Sequence, residues 1–457
     1  MAGLIKTRQV SPVEVAETYL RRIEALNPRL NAFLTVTAEE AIQAAREAEQ
    51  ALGGDGNLPP LHGVPIAVKD LEETQGIRTT YGSLVYEDFV PDEDSIIVER
   101  LRRAGAIIIG KTNTPEFGQS NTTENRLGED CCNPWDTTRT SGGSSGGSAA
   151  ALAAGLCPLA VGTDGGGSIR VPAAYCGVFG MKATHGRVPA GDDGWALFSD
   201  AGPMSRTVRD AALMLNVVAG RDPRDSLSIR EVPPDFLSAL DGEVKGLRVG
   251  WSPDLGFASV DQEVLSITRS AVGLLEEMGC HVEEATPDCG EPFEIFATIV
   301  LADTYADKGH LLDGDAGKLM RYVKSTLEHG QKITGAQYAQ ALRRLWRFRA
   351  RMQDFFDRYD LLVTPATAVP AFPLRQRPAV IADREVAKLW GAAPFTATFN
   401  LTGNPAASVP CGFSPDGLPI GLQVVGRWGE DLTVLRVSAA LEQARSWAGK
   451  IPAIAEF

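Results

Sequence analysis

With 457 residues, 44% of them apolar and 22% charged, the chain has the composition of a folded globular protein, and disordered and fibrous classes drop out. Its formal charge of −14 works against binding a polyanion, and no basic patch in the sequence reverses that field, so no nucleic-acid partner is expected. Seven cysteines, an odd number without metal-ligand spacing, point to reduced thiols, so cytoplasmic residence is expected and neither a metal nor another cofactor is called for.

The first ten residues carry Lys6 and Arg8 but no apolar signal core. Ser11-Pro12-Val13-Glu14 combines an N-cap serine, proline at the first helical position and a reciprocal glutamate. Ala16, Leu20 and Ile23 follow at helical spacing, which predicts a helix to about Leu26. Thr37 and Glu40 repeat the capping-box pattern before an alanine-rich helix ending near Leu52. Residues 1–55 are therefore expected to form a helical segment packed on the main body of one domain spanning 1–457.

From Val64 the pattern changes to short β-branched runs separated by amphipathic helices. Residues 64–68 and 106–109 read as strands, with a helix over 96–104 between them that Gly105 is placed to stop. This alternation predicts parallel pairing within a covered sheet. Residues 149–161 are apolar but too short to span a bilayer, so no membrane association is expected. Further strands are expected at 247–251, 361–364, 406–409 and 420–425. Residues 290–400, with a proline-rich stretch over 365–378, are the least regular, and substrate choice is assigned to them. The arginines of 343–351 are interrupted by Trp346 and Phe348 and read as a solvated helix face.

The densest chemical signal lies at 141–170. Ser141-Gly142-Gly143-Ser144-Ser145-Gly146-Gly147-Ser148 is followed by Asp164-Gly165-Gly166-Gly167-Ser168-Ile169-Arg170. Each loop offers a hydroxyl among main-chain N–H groups that no side chain obstructs, as a nucleophile with an oxyanion pocket requires. A serine hydroxyl needs a base, yet none of the five histidines belongs to these loops. A lysine can serve once burial disfavours its ammonium form. Lys69 ends an apolar strand, where α/β proteins place their sites; Lys111, after 107–109, is the rival.

Together with Gly63-Val64-Pro65-Ile66-Ala67-Val68-Lys69-Asp70, Gly110-Lys111-Thr112-Asn113-Thr114-Pro115-Glu116-Phe117, Asn133-Pro134-Trp135 and Pro419-Ile420-Gly421-Leu422-Gln423, these loops resemble the amidase signature family. Its members are serine hydrolases that cleave C–N bonds with a Ser-Ser-Lys triad, and the resemblance spans roughly residues 10–440. It implies an α/β fold with one large mixed β-sheet covered by helices on both faces. By resemblance Ser168 matches the nucleophile, Ser144 the bridging serine and Lys69 the base. The N–H groups of Gly165, Gly166, Gly167 and Ser168 are the candidate oxyanion donors. Gly165 departs from the family pattern, which usually carries a side chain there. Asp164 and Arg170, flanking the nucleophile, read as an ion pair that holds the loop.

The resemblance implies a cofactor-free hydrolase of linear carboxamides, with anilides and carbamates as candidate small-molecule substrates and a homodimer among the candidate assemblies. Two other functions compete. The glutaminase subunit of a tRNA-dependent amidotransferase shares the motifs, although residues 71–75 and 402–405 look more like free-standing amidases. Residues 142–146 also satisfy Gly-x-Ser-x-Gly, the elbow of an α/β-hydrolase esterase with Ser144 as nucleophile, but no apolar strand precedes them. A phosphate-binding loop fails because no Lys-Ser or Lys-Thr follows the glycines at the required spacing.

Overall fold

In a computed structural model of the chain, residues 1–52, 58–191 and 197–456 are described. Eleven strands form one sheet: β1 (Phe33–Val36), β2 (Pro65–Lys69), β3 (Ile107–Thr112), β4 (Leu159–Asp164), β5 (Phe179–Lys182), β6 (Asp200–Ser205), β7 (Arg248–Trp251), β8 (His281–Glu284), β9 (Leu361–Pro365), β10 (Ala406–Phe413) and β11 (Pro419–Gly426). Their order across the sheet is β1-β3-β2-β4-β6-β5-β10-β11-β9-β7-β8. The α/β fold with a large mixed sheet is as expected.

Among the described residues parallel pairing holds only in two wings, where β2 lies between β3 and β4, and β7 between β8 and β9. The strands between the wings pair antiparallel, from β4 through β6, β5, β10 and β11 to β9. The hairpin joining β10 to β11 shows why: Gly417 at φ +79° turns the chain, and Ser414 N–H donates to Leu418 O at 2.8 Å. So short a link can join only antiparallel neighbours.

Alternating residues of the central strands feed two cores. Ile66 and Val68 of β2, Ile108 of β3, and Leu159 and Val161 of β4 enter one, with apolar residues of helices Ile96–Arg103, Val208–Val218, Gln262–Glu277 and Asp431–Ala444. Ala67, Ile107, Ile109 and Ala160 enter the other, with helices Pro12–Leu30, Ala38–Ala51, Gly146–Ala153 and Arg170–Cys176. The period of two thus buries both faces of the sheet under helices.

The amino-terminal region differs from expectation in three ways. Helix Pro12–Leu30 has the Ser11–Glu14 capping box but runs a turn beyond Leu26, to a left-handed Asn31 at φ +51°. Thr37 makes no cap: its hydroxyl donates to Ile108 O at 2.9 Å, because the preceding strand carries it against β3. That strand, β1, makes the segment more than helical, pairing antiparallel with β3 through Phe33 and Thr112. The outer side of β1 is occupied by side chains. Asn27 Oδ1 accepts from Phe33 N–H at 2.8 Å and Asn27 Nδ2 donates to Phe33 O at 3.2 Å, while Arg78 donates to Thr35 Oγ1 at 3.1 Å. At the opposite edge β8 leaves Glu283 and Glu284 exposed.

Candidate active site

Lys69 is the last residue of β2, a strand buried along its whole length, and its side chain is 0% exposed. Its Nζ donates to Ser144 Oγ at 2.6 Å and to Thr163 Oγ1 at 2.8 Å. Burial pushes the amine from the usual 10.5 down to about 7, against the opposing charges of Asp164 and Glu72. Near neutral pH a large share of the lysine is therefore an uncharged base.

Ser144 sits in the glycine loop between a short ribbon, Cys132–Asn133 with Asp136–Thr140, and helix Gly146–Ala153. The ribbon is separate from the main sheet, and Lys69 is the side chain at the serine hydroxyl. A nucleophile elbow needs a strand of the central sheet in that position, so this arrangement disfavours the esterase reading. The loop is tight: a Cβ on Gly143 would lie 2.7 Å from Thr122 N.

Ser168 follows β4 on the second glycine loop and is half-buried. Ser145 N–H donates to Ser168 O at 3.0 Å, binding the two loops together. The structure thus brings Lys69 and Ser144 into direct contact and sets Ser144 and Ser168 on the wall of one cavity. Among the described residues no hydrogen bond joins the two serine hydroxyls. Such links commonly tighten only when substrate is bound.

One of the four expected oxyanion donors is already engaged. Gly167 N–H donates to Asp164 Oδ1 at 2.6 Å, so its hydrogen serves the loop itself. The N–H groups of Gly165, Gly166 and Ser168 have no acceptor among the described residues and remain available. Gly167 is required as glycine for another reason: at φ +126°, a Cβ there would overlap Thr396 Oγ1.

Asp164 and Arg170 form a fully buried pair, with Arg170 Nε 2.9 Å from Oδ2 and Nη2 2.8 Å from Oδ1. Burial opposes the carboxylate, but the charge and hydrogen bonds of Arg170, helped by Asn400 and Lys182, hold it well below the usual carboxylate range. Asp164 also accepts from Ile169 N–H at 3.1 Å, and Arg170 reaches Gln423 Oε1 at 2.7 Å and Asn400 Oδ1 at 2.6 Å. The pair therefore anchors the second glycine loop to β11 and to helix Ala397–Thr402. The rival Lys111 is committed elsewhere: its Nζ donates to Glu72 O at 2.7 Å and Thr79 Oγ1 at 2.6 Å and lies 3.6 Å from Asp70.

Sequence reasoning misses Thr163, although it directly precedes the Asp164 loop; its hydroxyl is the second acceptor for Lys69. Two cavities meet at Ser168. One, of about 220 Å³, is apolar and lined by Gly166, Gly167, Phe296, Val300 and Trp390. The other, of about 680 Å³, is more polar and lined by Ser144, Thr163, Gly165, Glu72 and Lys308. Cys131 is buried, Cys132 half-buried, and neither is among the residues lining these cavities. Among the described residues no group of three His, Cys, Asp or Glu side chains could hold a metal ion, and no helix is long and apolar enough to cross a membrane.

The sequence pattern of one family, described as Amidase, matches residues 14–435. An acylamidase of Rhodococcus erythropolis is 40% identical over 462 residues, covering 99% of this chain and 96% of its own. A subunit of the glutamyl-tRNA(Gln) amidotransferase of Chloroflexus aggregans is 37% identical, covering 98% of this chain and 96% of its own. Among solved structures, a bacterial aryl acylamidase of the amidase signature family superposes with a TM-score of 0.93 at 31% identity, covering 98% of this chain and 96% of that one.

Proposed function

Because the chain belongs to the amidase signature family, we propose that it is a stand-alone, cofactor-free hydrolase of linear carboxamides, anilides and carbamates included, working through an acyl-enzyme on Ser168. The observation that carries this reading is the 2.6 Å contact between a fully buried lysine amine and Ser144 Oγ. Neutral Lys69 draws a proton from Ser144, Ser144 draws one from Ser168, and Ser168 Oγ attacks the carbonyl carbon. The N–H groups of Gly165, Gly166 and Ser168 hold the developing oxyanion, each such donor contributing on the order of 3 kcal/mol in other acyl-transfer enzymes. Return of the proton through Ser144 releases the amine as the C–N bond breaks. Water then cleaves the ester by the same relay.

A carbamate also presents a carbonyl beside nitrogen, which is the reason to include it. Seven unpaired cysteines support cytoplasmic residence, and the charge of −14 supports a small-molecule substrate over a nucleic acid. One sheet assembled from residues 33 to 426 supports reading 1–457 as a single domain. A homodimer is the assembly we assign by family resemblance.

The 37% identity to a subunit of an amidotransferase favours a second reading, a glutaminase that works only within a complex. The higher identity to an acylamidase and the 0.93 superposition on an aryl acylamidase support the stand-alone enzyme. A hydrolysis panel of aliphatic amides, anilides, carbamates, esters and glutamine, run on the isolated chain with mass detection of a Ser168 adduct, separates them. Turnover of glutamine alone, and only with added partner subunits, would overturn the ranking.

A further inference from the structure

We infer that the two cavities divide the substrate, with the acyl half in the apolar cavity and the amine half in the polar one, so that the chain selects for a compact apolar acyl group. This rests on the reading of Ser168 as nucleophile and Ser144 as proton carrier. The carbonyl carbon attacked by Ser168 Oγ bears two arms. As the C–N bond breaks, the leaving nitrogen takes its proton from Ser144 Oγ, and Ser144 is reprotonated by the Lys69 ammonium. The nitrogen arm must therefore point toward Ser144. Ser144 lines only the larger, polar cavity, whereas Ser168 lines both. The acyl arm is left facing the apolar side, past Gly166 and Gly167.

The dimensions of that side define the group it takes. A dry cavity of about 150 Å³ is enough to bind benzene, so about 220 Å³ holds one aromatic ring with one or two further carbons, or a branched chain of similar bulk. Phe296 and Trp390 close it edge to face, with ring centroids 5.1 Å apart, an arrangement suited to receiving another ring. They reach the nucleophile loop because Gly166 has no side chain: a Cβ there would lie 3.0 Å from Phe296 Cζ and 3.3 Å from Trp390 Cη2. The opposite cavity is about three times larger, and Glu73, Arg224 and Lys308 give it polar walls. It accommodates amine halves of varied size and polarity.

The test uses the full chain and two substrate series, one with 4-nitroaniline fixed and the acyl group varied from acetyl to phenylacetyl, the other with the acyl group fixed and the amine varied. Val300→Trp fills the apolar cavity and is expected to lower kcat/KM for phenylacetyl relative to acetyl at least tenfold. Trp390→Ala enlarges it and is expected to shift preference toward bulkier acyl groups. Both should leave the ranking of the amine series within about twofold and keep a cooperative thermal unfolding transition, with Trp390→Ala melting below the parent chain because it loses its packing on Phe293 and Phe296. Variants that reorder the amine series and spare the acyl series would reverse the assignment. Mass analysis separates the two levels of failure: a Ser168 acyl adduct with unaltered acyl preference sinks the cavity assignment alone, whereas absence of any adduct on Ser168 removes the premise with it.

Discussion

The amine of Lys69 and the hydroxyl of Ser144 lie 2.6 Å apart, both buried, and burial lowers the lysine from its usual 10.5 to about 7. In the proposed relay Lys69 must be uncharged to act as the base. We therefore expect kcat/KM to rise with pH through about 7 and to level off above it. A profile that falls across that range would exclude this lysine as the base.

The same burial has a stability signature. Between about 7, the folded value for Lys69, and its usual 10.5, the unfolded chain holds a proton that the folded chain lacks, so stability due to this group rises with pH across that window. Lys69→Met removes the dependence. The variant should be inactive, and its melting temperature relative to the parent should be highest near pH 7 and decline toward pH 10. A difference that stays constant over that range would contradict the assigned shift.

Ser168→Ala removes one oxygen from a half-buried position. Activity on any amide substrate should fall by roughly a thousandfold or more, while urea unfolding stays within about 0.5 kcal/mol of the parent. Retained turnover would move the nucleophile elsewhere.

Arg170 should matter chiefly through structure. Replacing it with alanine leaves the Asp164 carboxylate buried without its main partner and frees Gln423 and Asn400 from their contacts. The expected loss is ~3–5 kcal/mol in urea unfolding. Asp164→Ala should lower kcat as well, because the Gly167 and Ile169 N–H groups lose the carboxylate that fixes them.

Gly167→Ala meets two obstacles, the Thr396 hydroxyl and a backbone at φ +126°. We expect loss of activity and a lower melting temperature. Adding Thr396→Ala should restore only part of both, since it makes room without relieving the backbone. Full rescue by the double variant would show that crowding alone requires the glycine.

Much of this is legible in the sequence because the informative signals are local. A serine among glycines and a lysine closing an apolar run can be read within a few residues, and Lys69 and Ser144 do lie in contact. Helix Ile96–Arg103 and β3 are likewise set by short-range pattern and a glycine stop. The misses depend on residues distant in the chain. β1 becomes a strand through pairing with β3, and the Thr37 hydroxyl is drawn to the carbonyl of Ile108 by that pairing. The engagement of Gly167 N–H by Asp164 is a matter of loop geometry that glycine content alone cannot convey. The apolar cavity draws Phe296 and Trp390 from distant parts of the irregular 290–400 region, so neither ring stands out in its own neighbourhood.

The side-chain amide of Asn27 meets both polar main-chain groups of Phe33, much as a residue of a twelfth strand would. With Arg78 alongside it and two carboxylates guarding the far margin, each end of the sheet refuses a newcomer. Both margins of the main sheet thus carry features that discourage edge-to-edge growth, the common hazard of a broad open sheet, and favour association of copies through helix and loop surfaces.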